Sequence, residues 1–254
     1  MLREIWLVFR RDSTIALRNP AWIFIGIMQP VLYLLLFGPL MERIVQSTPG
    51  FPPGSAWQIL TPALILQIAL FSMFSGIGIL MELRNGSLER MRVTPVRRIS
   101  LLLGKVMNNA VQLFFQALLV LVIALLAFDL SAPLGGVVLS LLIVVLMGIT
   151  LASAGYAAAL MVKSEEAFIP MLNTVLLPVL LLSGILIPIT SGLAPSWLYN
   201  VSRINPFTHV VNADRAAFRG DFTMDALFTG VIVLAVMAVL AVWWGARTFQ
   251  RENA

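Results

Sequence analysis

Six apolar runs, each about 20 residues or longer, leave this chain of 254 residues few ways to fold. A backbone inside lipid has no water for its N–H and C=O groups, so each run must close its own hydrogen bonds as an α-helix. The sequence therefore predicts an all-α integral membrane protein. Its six transmembrane helices are expected at Ala21 to Met41, Trp57 to Met81, Val106 to Phe128, Leu134 to Val162, Phe168 to Ile187 and Ala226 to Ala246. Charged residues are 11% of the chain, against roughly 25% in a soluble domain. The net charge of +5 does not point to nucleic acid, because the cations gather in loops beside apolar runs, as membrane topology alone requires. Residues 1–254 read as a single transmembrane domain without internal repeat.

The most polar connection is Glu82 to Lys105, ELRNGSLERMRVTPVRRISLLLGK. Arg84, Arg90, Arg92, Arg97, Arg98 and Lys105 stand there against Glu82 and Glu89, and the positive-inside bias places the loop (82–105) in the cytoplasm. Of the 17 cations, 13 lie in this loop, in the first 18 residues, at Lys163 or after the sixth span. Both termini are therefore expected in the cytoplasm, and Arg43, Arg203, Arg215 and Arg219 fall outside the pattern. Inside the loop Gly86 frees the backbone, Ser87 is a good N-cap, Glu89 suits the first turn and Thr94-Pro95 stops the helix. A short helix of about two turns at the membrane face follows from that order.

Residues 2 to 18 carry Leu2, Ile5, Trp6, Phe9, Ala16 and Leu17 near helical spacing, with Arg3 and Arg10, and Arg11 and Arg18, on a polar side. That pattern predicts an amphipathic interfacial helix within residues 1–20, and its charges argue against a signal peptide. Pro30 is expected to kink the first span and Gly38-Pro39 to end it. On the fourth span, Gly148, Ala152, Gly155 and Ala159 form a small-residue ridge that lets helix backbones approach closely. Ile189 to Asp225 is too polar to span, yet it holds Trp197, Tyr199, Phe207 and Phe218. Two short helices fit it, Pro195 to Arg203 and a second capped by Asn205, begun by Pro206 and stopped by Gly220. Residues 189–225 thus read as an outer segment of two short re-entrant helices dipping into the outer leaflet.

Lys105, Asn108, Asn109, Gln112 and Gln116 share one face of the third span. Asn108, Gln112 and Gln116, with Gln29 and Gln67 in the first two spans, are candidates to line a substrate path. The other reading is polar glue between helices. An enzyme would need a nucleophile with a base, a metal cluster or paired carboxylates, but the sequence has one histidine, His209, no cysteine, no HExxH and no GxSxG. A proton- or ion-coupled carrier would hold a carboxylate at mid-membrane, whereas every carboxylate here lies in a loop or at a span end. Gly104-Lys105 is not a P-loop, since Val106 stands where Ser or Thr is required. Energy for active transport has to come from another chain, and no catalytic, cofactor-binding or metal site is expected in this one.

Glu82, Gly86, Leu88, Glu89, Arg90, Thr94, Pro95, Val96 and then Gly104-Lys105 resemble the signature of bacterial ABC-transporter permeases of the type-2 exporter family, which includes the daunorubicin-resistance type. Ser183-Gly184, Pro188, Asn205-Pro206, Asp214-Arg215 and Gly220 are similar to that family's outer segment. The resemblance implies a multi-pass subunit of the bacterial inner membrane that pairs with a second permease copy as a homodimer. It also implies two copies of an ABC ATPase on the cytoplasmic face, where ATP and Mg would be bound. The loop would be the coupling helix, with Glu82, Gly86, Ser87, Leu88, Glu89, Arg90, Thr94 and Pro95 meeting the ATPase. Drugs, lipids or other hydrophobic molecules would be the substrates. An ATP-independent channel or carrier and a membrane-embedded lipid-modifying enzyme are the readings from other classes.

Overall fold

The computed structural model describes residues 1–18, 21–48, 51, 54–87, 97–128, 130–222 and 225–251. Regular structure among them is helical: α1 Leu2–Arg18, α2 Ala21–Ser47, α3 Ala56–Phe71, a 3-10 turn Ser72–Ser75, α4 Gly76–Arg84, α5 Arg98–Ala127, α6 Leu134–Val162, α7 Glu165–Leu182, α8 Ser196–Ile204, α9 Pro206–Arg219 and α10 Asp225–Arg251. Six segments are long and apolar enough to cross a membrane: Phe24–Val45, Ala56–Arg84, Ile99–Ala127, Leu134–Val162, Glu165–Leu182 and Asp225–Gln250. The chain is a multi-pass membrane protein with six spans, as the apolar runs predict.

The central helix is α6, which packs against α3, α4, α5, α9 and α10. Val144, Ala152, Ala157 and Ala159 on it have no exposed surface. The small-residue ridge is a packing surface. A Cβ at Gly155 would run into the Met73 carbonyl, and one at Gly76 would run into the Gly155 carbonyl. Two backbones therefore touch where the second span breaks into its 3-10 turn. In lipid, where apolar burial between helices gains little, this van der Waals approach is what holds spans together.

Span ends differ from the sequence reading at several places, the helix of the sixth span, α10, running on to Arg251 rather than Ala246, and three of the differences show local contacts. The helix of the third span begins at Arg98, not Val106, because the Glu4 carboxylate of α1 accepts from the Arg97 N–H at 3.0 Å and caps it. The helix of the fifth span, α7, ends at Leu182, not Ile187. There the Val179 carbonyl accepts from Asn205 Nδ2 at 2.9 Å, the Leu182 carbonyl accepts from Thr208 Oγ1 at 2.9 Å, and the chain turns at Gly184 with φ +74°. The helix of the first span, α2, runs through Pro39 to Ser47, with Gly38 laid against the Trp57 ring.

Two ends of the bundle are distinct. The charged end gathers α1, the arms of the 82–105 segment, the turn at Lys163 and the C-terminal part of α10. A cluster of Val8, Ile79, Leu101, Leu102, Tyr156, Leu160 and Phe249 joins these elements. The opposite end gathers the turns around residues 54 and 131 with α8 and α9, as in the Gln58 Nε2 bond to the Ser131 carbonyl at 2.7 Å. The helix after Asn205 forms as its sequence requires: Asn205 Oδ1 accepts from the Phe207 N–H at 3.1 Å, Pro206 occupies the first turn, and Gly220 ends it at φ +75°.

Candidate functional site

The charged end holds a compact ion cluster built from three elements. Lys105, in the first turns of α5, is 5% exposed. Its Nζ lies 2.7 Å from Glu82 Oε2 on α4 and 3.2 Å from Asp12 Oδ2 on α1. Arg11 Nη1 completes the ring at 3.3 Å from Glu82 Oε1 and 3.4 Å from Asp12 Oδ1. The buried Tyr156 of α6 lies close enough to feel both carboxylates. Two cations and two anions thus cancel at the membrane face, and a buried charge with several partners is far less costly than a lone one.

Gly104 explains how α1 reaches this place. A Cβ there would lie 2.6 Å from Val8 Cβ and 3.0 Å from the Ile5 carbonyl, so the absent side chain lets α1 lie flat on the start of α5. Glu4 is the second tie. Hydrogen bonds from the Arg97 N–H, then from the Met1 amino group and the Ser100 hydroxyl, hold its carboxyl at about 2, well below the usual carboxylate range. The amphipathic helix is therefore fixed to the loop's return arm at two points, one at Arg97 and Ser100 and the other at Gly104.

Of the residues assigned to coupling, Glu82, Gly86 and Ser87 are described, while Leu88, Glu89, Arg90, Thr94 and Pro95 lie outside the described residues. Glu82 faces the ion cluster. Gly86 has φ +66° and carries the turn that leaves α4, and Ser87 Oγ donates to the Glu82 carbonyl at 3.3 Å. Beside this arm is an open cleft of about 590 Å³, lined by Leu83, Arg84, Lys163, Glu165 and Glu166 among others.

The five candidate path residues are spread. Asn108 Oδ1 accepts from Ser13 Oγ of α1 at 2.9 Å. Gln116 faces α2, where a Cβ on Gly26 would lie 2.6 Å from its Nε2. Gln112 is half-buried, Gln67 is 2% exposed with Oε1 unpartnered, and Gln29 is exposed along α2. Asn108 and Gln116 thus bring α5 against α1 and α2 within one chain.

The family model described as ABC-2 type transporter matches residues 3–218. The chain belongs to that family. Among ABC-2 relatives, the ycf38 protein of Cyanophora paradoxa, named as a transport permease, is 24% identical over 216 residues, which are 84% of this chain and 73% of that one. YbhR of Escherichia coli strain K12, named as a multidrug ABC transporter permease, is 26% identical over 179 residues, 69% of this chain and 48% of that one. ABC transporter G family member 20 of Dictyostelium discoideum is 27% identical over 181 residues, 69% of this chain and 24% of that protein. The chain thus spans about three quarters, a half and a quarter of these ABC-2 relatives. Sequence reasoning found Glu82 and Lys105 but missed the partners on α1: it left Arg11 on the polar side of an amphipathic helix and gave Glu4 and Asp12 no place in a site. The one available signal was the adjacent Arg11-Asp12 pair, and it names no partner.

Proposed function

We propose that this chain is the transmembrane subunit of an ATP-driven exporter, paired with a second copy of itself and energised by two copies of a separate ABC ATPase that dock on the charged end. That end is cytoplasmic in this reading, with 13 of 17 cations behind it. The observation that carries the reading is the ion cluster. Lys105, Glu82, Asp12 and Arg11 tie the outgoing arm of the loop, its return arm and α1 into one body. A push delivered to the tip of the 82–105 loop would then move the second and third spans with α1 as a unit, which is the rigid-body kind of switching. Glu82 serves this by joining the arms, while Glu89 and Arg90 meet the ATPase.

The cargo is a drug, lipid or other hydrophobic molecule taken from the cytoplasm or inner leaflet, in line with the multidrug name carried by the Escherichia coli relative. Gln67, Asn108, Gln112 and Gln116 supply polar groups along the moving spans, and Gln29 supplies one on the neighbouring first span. ATP and Mg belong to the partner.

Glu89→Lys tests the reading when the chain is co-expressed with its ATPase. An exposed ion pair contributes only about 0.2 to 1 kcal/mol, so a merely structural Glu89 would leave the variant nearly silent. The expected result is normal membrane insertion with lost efflux and lost co-purification of the ATPase. Efflux and assembly like the parent's would overturn the assignment. Efflux that persists after ATP depletion would instead support a channel or carrier.

A further inference from the structure

Asp214, on α9 at the opposite end, is fully buried, and neither of its carboxyl oxygens has a hydrogen-bond partner. The Ser140 hydroxyl of α6 faces it and has not completed a hydrogen bond either. Arg215 is no counter-ion in contact. Consecutive helical residues point about 100° apart, and its guanidinium is committed elsewhere: Nε donates to the Ile59 carbonyl at 3.1 Å and Nη2 to the Gly184 carbonyl at 2.8 Å. α9 itself is seated without clearance, since a Cβ at Gly136 of α6 would strike the Ala217 carbonyl and one at Gly230 of α10 would strike the His209 carbonyl. An ionised carboxylate in that seat would be a desolvated charge with the single Ser140 hydroxyl to donate to it, whereas a neutral carboxyl can also give its own O–H to Ser140 or to a helix carbonyl.

We propose that Asp214 is a proton-binding site, occupied while α9 is seated between α6 and α10 and vacated when α9 leaves that seat. The ligand is the hydrogen ion, and acidity on the opposite side holds this end of the bundle closed. Burial first, against the weaker pull of Ser140 and the Arg215 charge, pushes the Asp214 carboxyl from an ordinary 3.8 up to about 7. Between those two values the seated helix carries a proton that the released helix has lost. Rising pH therefore weakens seating across that window, by up to about tenfold per unit, and has no further effect once the seated group is also ionised. Other titratable groups nearby do not replace it. From α6 it meets Ser140, α3 offers the Ile59 carbonyl to Arg215, and α10 brings Gly230 against Ala213 and His209. On α9 itself, Arg219 lies toward Gly54 and Asp221, and the His209 ring meets the Arg203 carbonyl at 3.0 Å.

The test uses the full chain in lipid nanodiscs, melted between about pH 5 and about 8.5. The native melting temperature should fall as pH rises toward about 7 and then level. Asp214→Asn should be flat, and His209→Gln should keep the native slope. A native slope surviving in Asp214→Asn, or lost in His209→Gln, overturns the assignment. Should Asp214→Asn fail to fold, infrared difference spectra of the native protein decide the matter. A protonated-carboxyl band that disappears near pH 7 is expected, and its absence at about pH 6 overturns the proposal. The link to the helix is read from Val211→Cys, a fully buried position on α9. Its labelling rate, divided by the rate of the same thiol in an Asp214→Asn background, should rise several-fold with pH up to about 7. A flat ratio severs the proton from the helix.

Discussion

Lys105 shows how one side chain can belong to two readings. Helical spacing makes it the first member of a polar stripe with Asn108, Gln112 and Gln116, yet its ammonium turns toward α1 and α4 and neutralises Asp12 and Glu82. Replacing it by Met keeps an apolar stem of similar length and removes the charge. Among the described residues Asp12 and Glu82 then share Arg11 alone. Breaking a fully buried pair costs about 3 to 5 kcal/mol, but these carboxylates keep 12% and 17% exposure and water can reach them, so about 2 kcal/mol is expected. Thermal melting in detergent checks it: Lys105→Met should melt several degrees lower while Lys105→Arg stays near the parent. An unchanged Lys105→Met would mean the cluster adds nothing to the bundle. Both Lys105 and Glu82 were legible in the sequence as charges at a loop's ends. Their partner was not, because Asp12 sits in a helix whose periodicity also suits a water-facing charge, and only the tertiary approach of α1 through Gly104 chooses between the two.

The elements repeat this division. Span existence was legible because lipid forces each apolar run to be a helix, and the caps of α9 were legible because Asn205, Pro206 and Gly220 each have a backbone reason to be there. The ridge on α6 was legible by spacing, but its partner was not. The contacting backbone comes from Met73 within a 3-10 turn and Gly76 just after it, in a run that otherwise reads as one uninterrupted span. Two alanine substitutions separate the ridge from mere propensity. Gly155→Ala would set a Cβ into the Met73 carbonyl, so the second and fourth spans must part. Overpacking of this kind costs about 1 to 3 kcal/mol. Gly78→Ala meets nothing within 4 Å and removes a poor helix former, a gain of about 0.5 to 1 kcal/mol. The first should lower the melting temperature and the second should hold or raise it. Equal melting of the two would show that the close approach at Gly155 is not what joins these spans.

At the scale of the whole molecule the open question is which end meets the cytoplasm, and charge argues for one answer. The cations that break the positive-inside pattern are Arg43, Arg203, Arg215 and Arg219, and Arg215 is 2% exposed inside the bundle, so it adds nothing to the solvent charge of the opposite end. The arithmetic is thus more lopsided than the sequence alone makes it. A chain without cysteine lets this be measured cleanly, since any introduced thiol is the only one to react. Asn85, in the turn that leaves α4, and Ser196, at the start of α8, are both exposed and sit at opposite ends. In intact cells an impermeant maleimide should label Ser196→Cys and spare Asn85→Cys, and permeabilising the membrane should make Asn85→Cys reactive. The reverse pattern would turn the protein over and detach the ion cluster from any cytoplasmic ATPase. Labelling of both positions in intact cells would mean that the third, fourth and fifth spans do not all cross, because those three lie between Asn85 and Ser196 and an odd number of crossings is what keeps the two apart.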